Sequence, residues 1–193
     1  VTCAWPNEYL DVLDYQWNEV LIPYWKEAVK FANANGVKRI ALEMHPGFAV
    51  YNPETCLKLR AAVGETIGAN LDPSHLIWQG IDPVMAIRRL GSAIYHFHAK
   101  DTKIDEANTA KIGVLDTQNY GDILNRSWVF RTVGYGNNET YWRDLVSNLR
   151  LVGYDRVLSI EHEDSLMSID EGLCKAVNFL KDIIINDPKP STM

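Results

Sequence analysis

Four short runs decide the fold: Val37–Glu43 (VKRIALE), Thr66–Asp72 (TIGANLD), Ala93–His98 (AIYHFH) and Arg156–Glu161 (RVLSIE). Each is apolar or β-branched, has the length of a strand, and ends in an acid or a histidine. Between them lie amphipathic stretches with helix signals. Trp17, Leu21, Trp25, Ala28 and Ala32 recur at helical spacing, so a first helix is expected over Trp17–Asn35, closed by Gly36. Pro23 reads as the true first turn of that helix, after a looser turn. Asn52-Pro53-Glu54 opens a second helix that stops at Gly64, with Asn52 as cap. Asp82-Pro83 opens a third, closed by Gly91. A fourth is expected over Thr140–Val152, ended by Gly153, and a last one behind a capping box of Ser168 and Glu171. The segment from Asp101 to about Asn138 reads as long and irregular.

Strand and helix thus alternate, which argues for an α/β fold with a parallel sheet. Four strand–helix units follow an initial helix, and Val1-Thr2-Cys3 reads as the end of an earlier strand. A closed (β/α)₈ barrel takes about 250 residues, with about 200 near its lower limit. The expectation is therefore a (β/α) TIM barrel of which this chain holds the C-terminal half, in one domain over residues 1–186. The tail from Asp187 (DPKPSTM) reads as disordered, and an initial Val rather than Met reads as a cut start.

The 193 residues are 47% hydrophobic with a formal charge of −6, and no stretch is rich in Lys or Arg. Nucleic acid is not the expected partner, since its binding rests on neutralising phosphates. No apolar run reaches the roughly 20 residues that span a bilayer, so no membrane role is expected. Cys3, Cys56 and Cys174 are far apart and odd in number. They read as free thiols in a reducing, cytoplasmic setting.

All five histidines (His45, His75, His96, His98 and His162) fall in, or within three residues of, the ends of those four strands. Parallel strands in barrels and doubly wound sheets present their C-terminal ends to the active site. Glu43, Asp72, His98 and Glu161 are thereby expected at one rim. Ionised carboxylates crowded together repel, and a divalent cation reverses that penalty. Three oxygen ligands and one nitrogen suit Mn²⁺ first, with Mg²⁺, Co²⁺ or Zn²⁺ also compatible. His96 shares a strand face with His98 and reads as one layer deeper. Each acid alone could be a solvated loop residue or a helix cap, and Asp72-Pro73 could simply start a turn. That bland account would have to hold at all four strand ends. Arg131, ahead of Gly134-Tyr135-Gly136, reads as a grip for an oxyanion or a hydroxyl, or else as a surface arginine. Trp5, Trp78 and Trp128 read as loop aromatics suited to sugar stacking or to anchoring a loop.

The segments Leu42–Gly47 (LEMHPG), Asn70–His75 (NLDPSH), His96–Asp101 (HFHAKD) and Ser159–Asp164 (SIEHED) resemble the sugar phosphate isomerase/epimerase group of xylose isomerase-like TIM barrels. The resemblance spans roughly residues 17–180. It implies metal ligation by Glu43, Asp72, His98 and Glu161, and substrate contacts from His75 and Arg131. It implies proton transfer beside a carbonyl through a metal-stabilised enediolate, with Glu43 and Glu161 as the acid–base pair. Lys100 is then expected as an extra acid or oxyanion partner, oriented by Asp101, and Trp78 as a substrate contact. The implied partner is a small sugar or polyol-ketone, and a homo-oligomer is compatible. The long Asp101–Arg131 stretch departs from the family pattern. Three other outcomes stay open: a lyase or dehydratase acting on an inosose or 3-keto sugar, an endonuclease on abasic DNA, and a non-catalytic half-barrel.

Overall fold

The computed structural model describes residues 8–116 and 118–187. The expected strand at Val1-Thr2-Cys3, Trp5, and the tail beyond Asp187 lie outside the described residues. Four strands form one parallel sheet in the order β1-β2-β3-β6: β1 (Ile40–Glu43), β2 (Ile67–Leu71), β3 (Ile94–Ala99) and β6 (Leu158–Ile160). Helices follow the strands: α3 (Pro53–Val63), α5 (Pro83–Leu90), α7 (Glu139–Leu151) and α8 (Ile169–Ile183), with a short α4 (Pro73–Ile77) directly after β2. Among the described residues no helix is long and apolar enough to cross a membrane. The expected partial α/β barrel is what the chain forms.

The strands are shorter than their sequence runs. Residues 37–39 precede β1 because β2 offers its first partner only at Ile67, opposite Ile40. Ile40 N–H donates to Thr66 at 2.7 Å, and the turn at Gly64 lies beyond. The first helix starts earlier than expected, with α1 (Tyr9–Tyr15) ahead of Trp17. A wide π-helical turn over Gln16–Leu21 then leads into α2 (Ile22–Ala34), whose first turn holds Pro23 as expected. Proline has no N–H to return to the preceding turn, and widening the helix there relieves the clash of its ring.

Caps follow the sequence signals with one difference. Asn52 accepts from Thr55 N–H at 2.8 Å, and Thr55 Oγ1 accepts back from Asn52 N–H at 3.1 Å, so the full capping box sits on α3. At α8 only half of the expected box forms. Ser168 accepts from Glu171 N–H at 3.3 Å, while the Glu171 carboxylate pairs with Lys175.

Helices cover one face of the sheet and make the core. Ile67, Ala69 and Leu71 of β2 and Phe97 and Ala99 of β3 pack against Leu59, Ile87, Trp142 and Leu145. The other face carries the polar side chains, and a bulge sets which ones. Ala69 pairs with Ile94, but Asn70 pairs with His96, leaving Tyr95 as an extra residue in β3. One added residue reverses the alternation of a strand. It turns His96 and His98 to the face of Asn70 and Asp72 and sends Phe97 into the core. Gly68 makes the bulge possible, since a Cβ there would lie 2.4 Å from the Tyr95 ring.

The segment after β3, expected to be irregular throughout, holds two strands and an α-helix besides its loops. β4 (Asp101–Ile104) pairs antiparallel with β5 (Trp128–Arg131), and α6 (Glu106–Ile112) lies between them. Two four-residue strands separated by more than twenty residues leave no local hairpin signature, and the pairing is held from outside. The carboxylate of Asp101, fully buried, accepts from Gly134, Gly136 and Asn137 N–H at 2.9–3.0 Å. It also accepts from the Asn137 amide at 2.7 Å and from Trp142 Nε1–H at 3.0 Å. The anion held by the Gly-rich turn is thus a side chain of the protein itself. Gly136 is needed because a Cβ would stand 2.6 Å from that carboxylate. Asp101 therefore does not orient Lys100, as expected from sequence, but ties β4 to the turn and to α7.

Asp101→Asn would leave several of these donors facing an amide N–H₂. A loss of about 3 kcal/mol in unfolding free energy is expected, read by urea denaturation. Parent-like stability would refute the hub.

Candidate metal centre

Four parallel strands end at one rim, and each delivers one donor. Glu43 closes β1, Asp72 follows β2, His98 lies near the end of β3, and Glu161 follows β6 with its N–H donating to Ala99 at 3.4 Å. One ligand atom from each lies within 4.8 Å of all the others. His98 Nδ1 is 2.8 Å from Glu161 Oε2, 3.4 Å from Glu43 Oε1 and 3.9 Å from Asp72 Oδ2. Asp72 divides its work. Oδ1 accepts from Ser74 N–H at 2.8 Å and caps α4, while Oδ2 turns to the cluster. Asp72 is thus the turn residue of the bland reading through Oδ1, and a member of the four-residue cluster through Oδ2.

Glu43 Oε1, Asp72 Oδ2 and Glu161 Oε2 are buried and have no hydrogen-bond partner among the described residues. They face only the imidazole nitrogens of His75 and His98, 2.8–3.9 Å away, and carboxylate oxygens buried without hydrogen bonds are costly. A divalent ion binds its ligands at about 2.1 Å, which sets neighbouring donors about 3 Å apart and opposite donors about 4 Å apart. The observed separations fall near that range, and the donor set of three oxygens and one nitrogen fits such an ion. The electrostatics agree. The ring nitrogens of His75 and His98 hold the Glu43 carboxyl far below the usual carboxylate range, against the opposing effect of burial. Asp72 and Glu43 raise His98 to about 10, again against burial. Without a cation, the cluster gathers a proton in its place.

A second ring of residues surrounds the donors. His75 is buried, with Nε2 3.4 Å from Glu43 Oε1 and 3.6 Å from Asp72 Oδ2, and its ring lies 4.3 Å from that of His45. Lys100 donates to Glu161 Oε1 at 3.0 Å and pairs with Glu163 at 2.5 Å. Burial works against its charge, but Glu163, Asp72 and Glu161 together raise its pKa. Arg131 Nε donates to both oxygens of Asp164, at 3.2 and 3.1 Å, so part of the expected oxyanion grip is spent inside the protein.

The aromatic residues form a wall. Phe130 stands edge-on to His75 at 5.5 Å and under the Lys100 ammonium at 4.1 Å. Trp128 lies 5.1 Å from Phe130, and Trp78 stacks on Trp128 at 4.6 Å and 6°. Trp78 was expected against the substrate. The residue is 9% exposed and one face of its ring is covered by Trp128, so it backs the wall instead. Sequence reasoning missed Phe130, in a segment read as irregular, and Asn70, whose Nδ2 lies 3.1 Å from His98 Nε2. Alternation along β2, which sets Asn70 on the face of Asp72, was the available signal. His96 lies beside His98 as expected, 5.4 Å ring to ring, and is not among the four clustered donors.

Known proteins carry the same architecture. The chain is 46% identical over 183 residues to the uncharacterized protein YfiH of Bacillus subtilis (strain 168), covering 95% of this chain and 58% of that protein. It superposes on the crystal structure of the IolI protein with a zinc atom with a TM-score of 0.61 at 22% identity, over 84% of this chain and 54% of the other. It superposes on D-psicose 3-epimerase, solved in the presence of D-fructose, with a TM-score of 0.54 at 16% identity, over 83% and 53%. The chain thus spans little more than half the length of these proteins. The family model described as xylose isomerase-like TIM barrel matches residues 5–183, and the chain belongs to that family.

Proposed function

We propose that this chain carries the metal-binding half of a sugar isomerase or epimerase site, which moves a proton at a carbon beside a carbonyl. The observation that supports this reading is the convergence at the strand ends of one imidazole and three buried carboxylate oxygens that make no hydrogen bond among the described residues and face only imidazole nitrogens. Glu43, Asp72, His98 and Glu161 would hold the ion, and the oxygen-rich set favours Mn²⁺. When bound, a divalent ion supplies Lewis-acid polarisation of a carbonyl and stabilises developing negative charge.

The chain's own groups supply the rest. Glu43 and Glu161 come from the first and last strands of the sheet, so they flank the centre from opposite sides. One would take the proton and the other return it, which is what inversion or transfer between neighbouring carbons requires. His75 holds Glu43 from behind and, as the family resemblance implies, would contact the substrate. Lys100 holds Glu161 and adds positive charge beside a developing oxyanion. Arg131, held by Asp164 through Nε, would offer its terminal guanidinium nitrogens to a polar substrate group. Phe130, with Trp128 and Trp78 behind it, would exclude water from one side. A polyol-ketone is the substrate class this combination fits.

An imidazole must be neutral to bind a cation, so the ion displaces the His98 proton. His98 stays protonated through neutral pH, and affinity for Mn²⁺ is expected to rise about tenfold per pH unit from 6 to 8. Calorimetry in buffers of different ionisation enthalpy should show about one proton released per ion. Binding without proton release would contradict the assignment of His98. For the chemistry, the full-length protein is incubated with ketoses in deuterated water. Deuterium is expected at the carbon beside the carbonyl, and Glu161→Gln is expected to slow incorporation by about 10²-fold or more. Loss of water from the product would instead assign a dehydratase, and no exchange with any ketose would overturn the proposal.

A further inference from the structure

Lys100 is almost wholly buried, two residues beyond His98, and its ammonium is committed on every side described. Nζ donates to Glu161 Oε1 at 3.0 Å, pairs with Glu163 Oε2 at 2.5 Å and faces the ring of Phe130 at 4.1 Å. Glu161 is therefore divided between two neighbours. Oε1 belongs to Lys100, and only Oε2 reaches the cluster, 2.8 Å from His98 Nδ1.

We infer that Lys100 is a positioning residue that restricts Glu161 to ligation through one oxygen and so keeps a coordination position open for substrate. This rests on the metal-centre reading above. The chemistry of the side chain supports it. A carboxylate left to itself can chelate a divalent ion through both oxygens. An ammonium is a compact point charge that claims one oxygen, whereas the planar fork of arginine tends to take both. Glu163 has its own place in the arrangement. It draws Nζ to the Oε1 side and offsets the repulsion between the ammonium and a bound cation. Phe130 faces Nζ from a third side, with its ring centroid 4.1 Å away.

The test uses Mn²⁺ itself and needs no substrate. Water-proton relaxation of the Mn²⁺-loaded chain counts the exchangeable waters on the ion, and the electron paramagnetic resonance of free Mn²⁺ gives affinity. In Lys100→Met, both oxygens of Glu161 become free, so the water count is expected to fall by about one while Mn²⁺ binds several-fold tighter. In Lys100→Arg, which keeps the charge and much of the volume, the fork draws both oxygens away and affinity is expected to drop about tenfold. Glu163→Gln keeps the Lys100–Glu161 contact, so its water count should match the parent. A folded Lys100→Met with the parent's water count would overturn the inference. If that variant does not fold, parent-like affinity in Lys100→Arg would overturn it equally. A parent that binds no Mn²⁺ would remove the metal centre itself, an outcome distinct from either.

Discussion

Three carboxylates and an imidazole are forced to one point, and much of the structure around them can be understood as holding that unfavourable arrangement. The parallel sheet delivers them, because strand direction alone puts Glu43, Asp72, His98 and Glu161 at the same rim. Each donor is then fixed from behind. Asp72 is locked by capping α4, Glu161 by Lys100, Glu43 by His75, and His98 by the bulge that sets its face of the strand. Groups held this way cannot relax apart when the carboxylates repel, which is the situation a bound cation would relieve. The bulge is the least dispensable of these devices. Were Tyr95 paired regularly opposite Asn70 instead of bulged, β3 would aim its histidines at the helices and turn Phe97 away from the core.

The hairpin β4–β5 depends on the same centre. Asp101 lies three residues beyond His98, and its buried carboxylate gathers the Gly134–Asn137 turn and Trp142. That places Phe130 over Lys100 and Arg131 beside Asp164. The second layer of the site is thus assembled by an internal anion. On the far side, Gly172 of α8 touches His162, where a Cβ would stand 2.1 Å from the ring. This close approach fixes the loop that carries Glu161 and Glu163.

Much of this was legible in the residues. The strand-end donors followed from short apolar runs closed by acids, because one direction of travel along parallel strands decides which end each side chain occupies. Pro23 marked its helix turn, and Asn52 and Asp82 marked their caps, because these signals are local. What escaped was set by distant partners. The pairing of Asp101–Ile104 with Trp128–Arg131 has no neighbouring turn to announce it. The Lys100–Glu161 and Arg131–Asp164 pairs join residues 61 and 33 positions apart. Trp78 looked like a stacking face until Trp128 covered it, and no local pattern predicts which aromatic ring in a loop is left bare.

The central claim is that one divalent ion sits between Glu43, Asp72, His98 and Glu161. Its most direct test is an anomalous difference map from a crystal of the full-length protein soaked in Mn²⁺. A single strong peak within ligand distance of all four residues, absent from an Asp72→Asn crystal, is the predicted result. A peak elsewhere, or none with the four side chains well ordered, would contradict it.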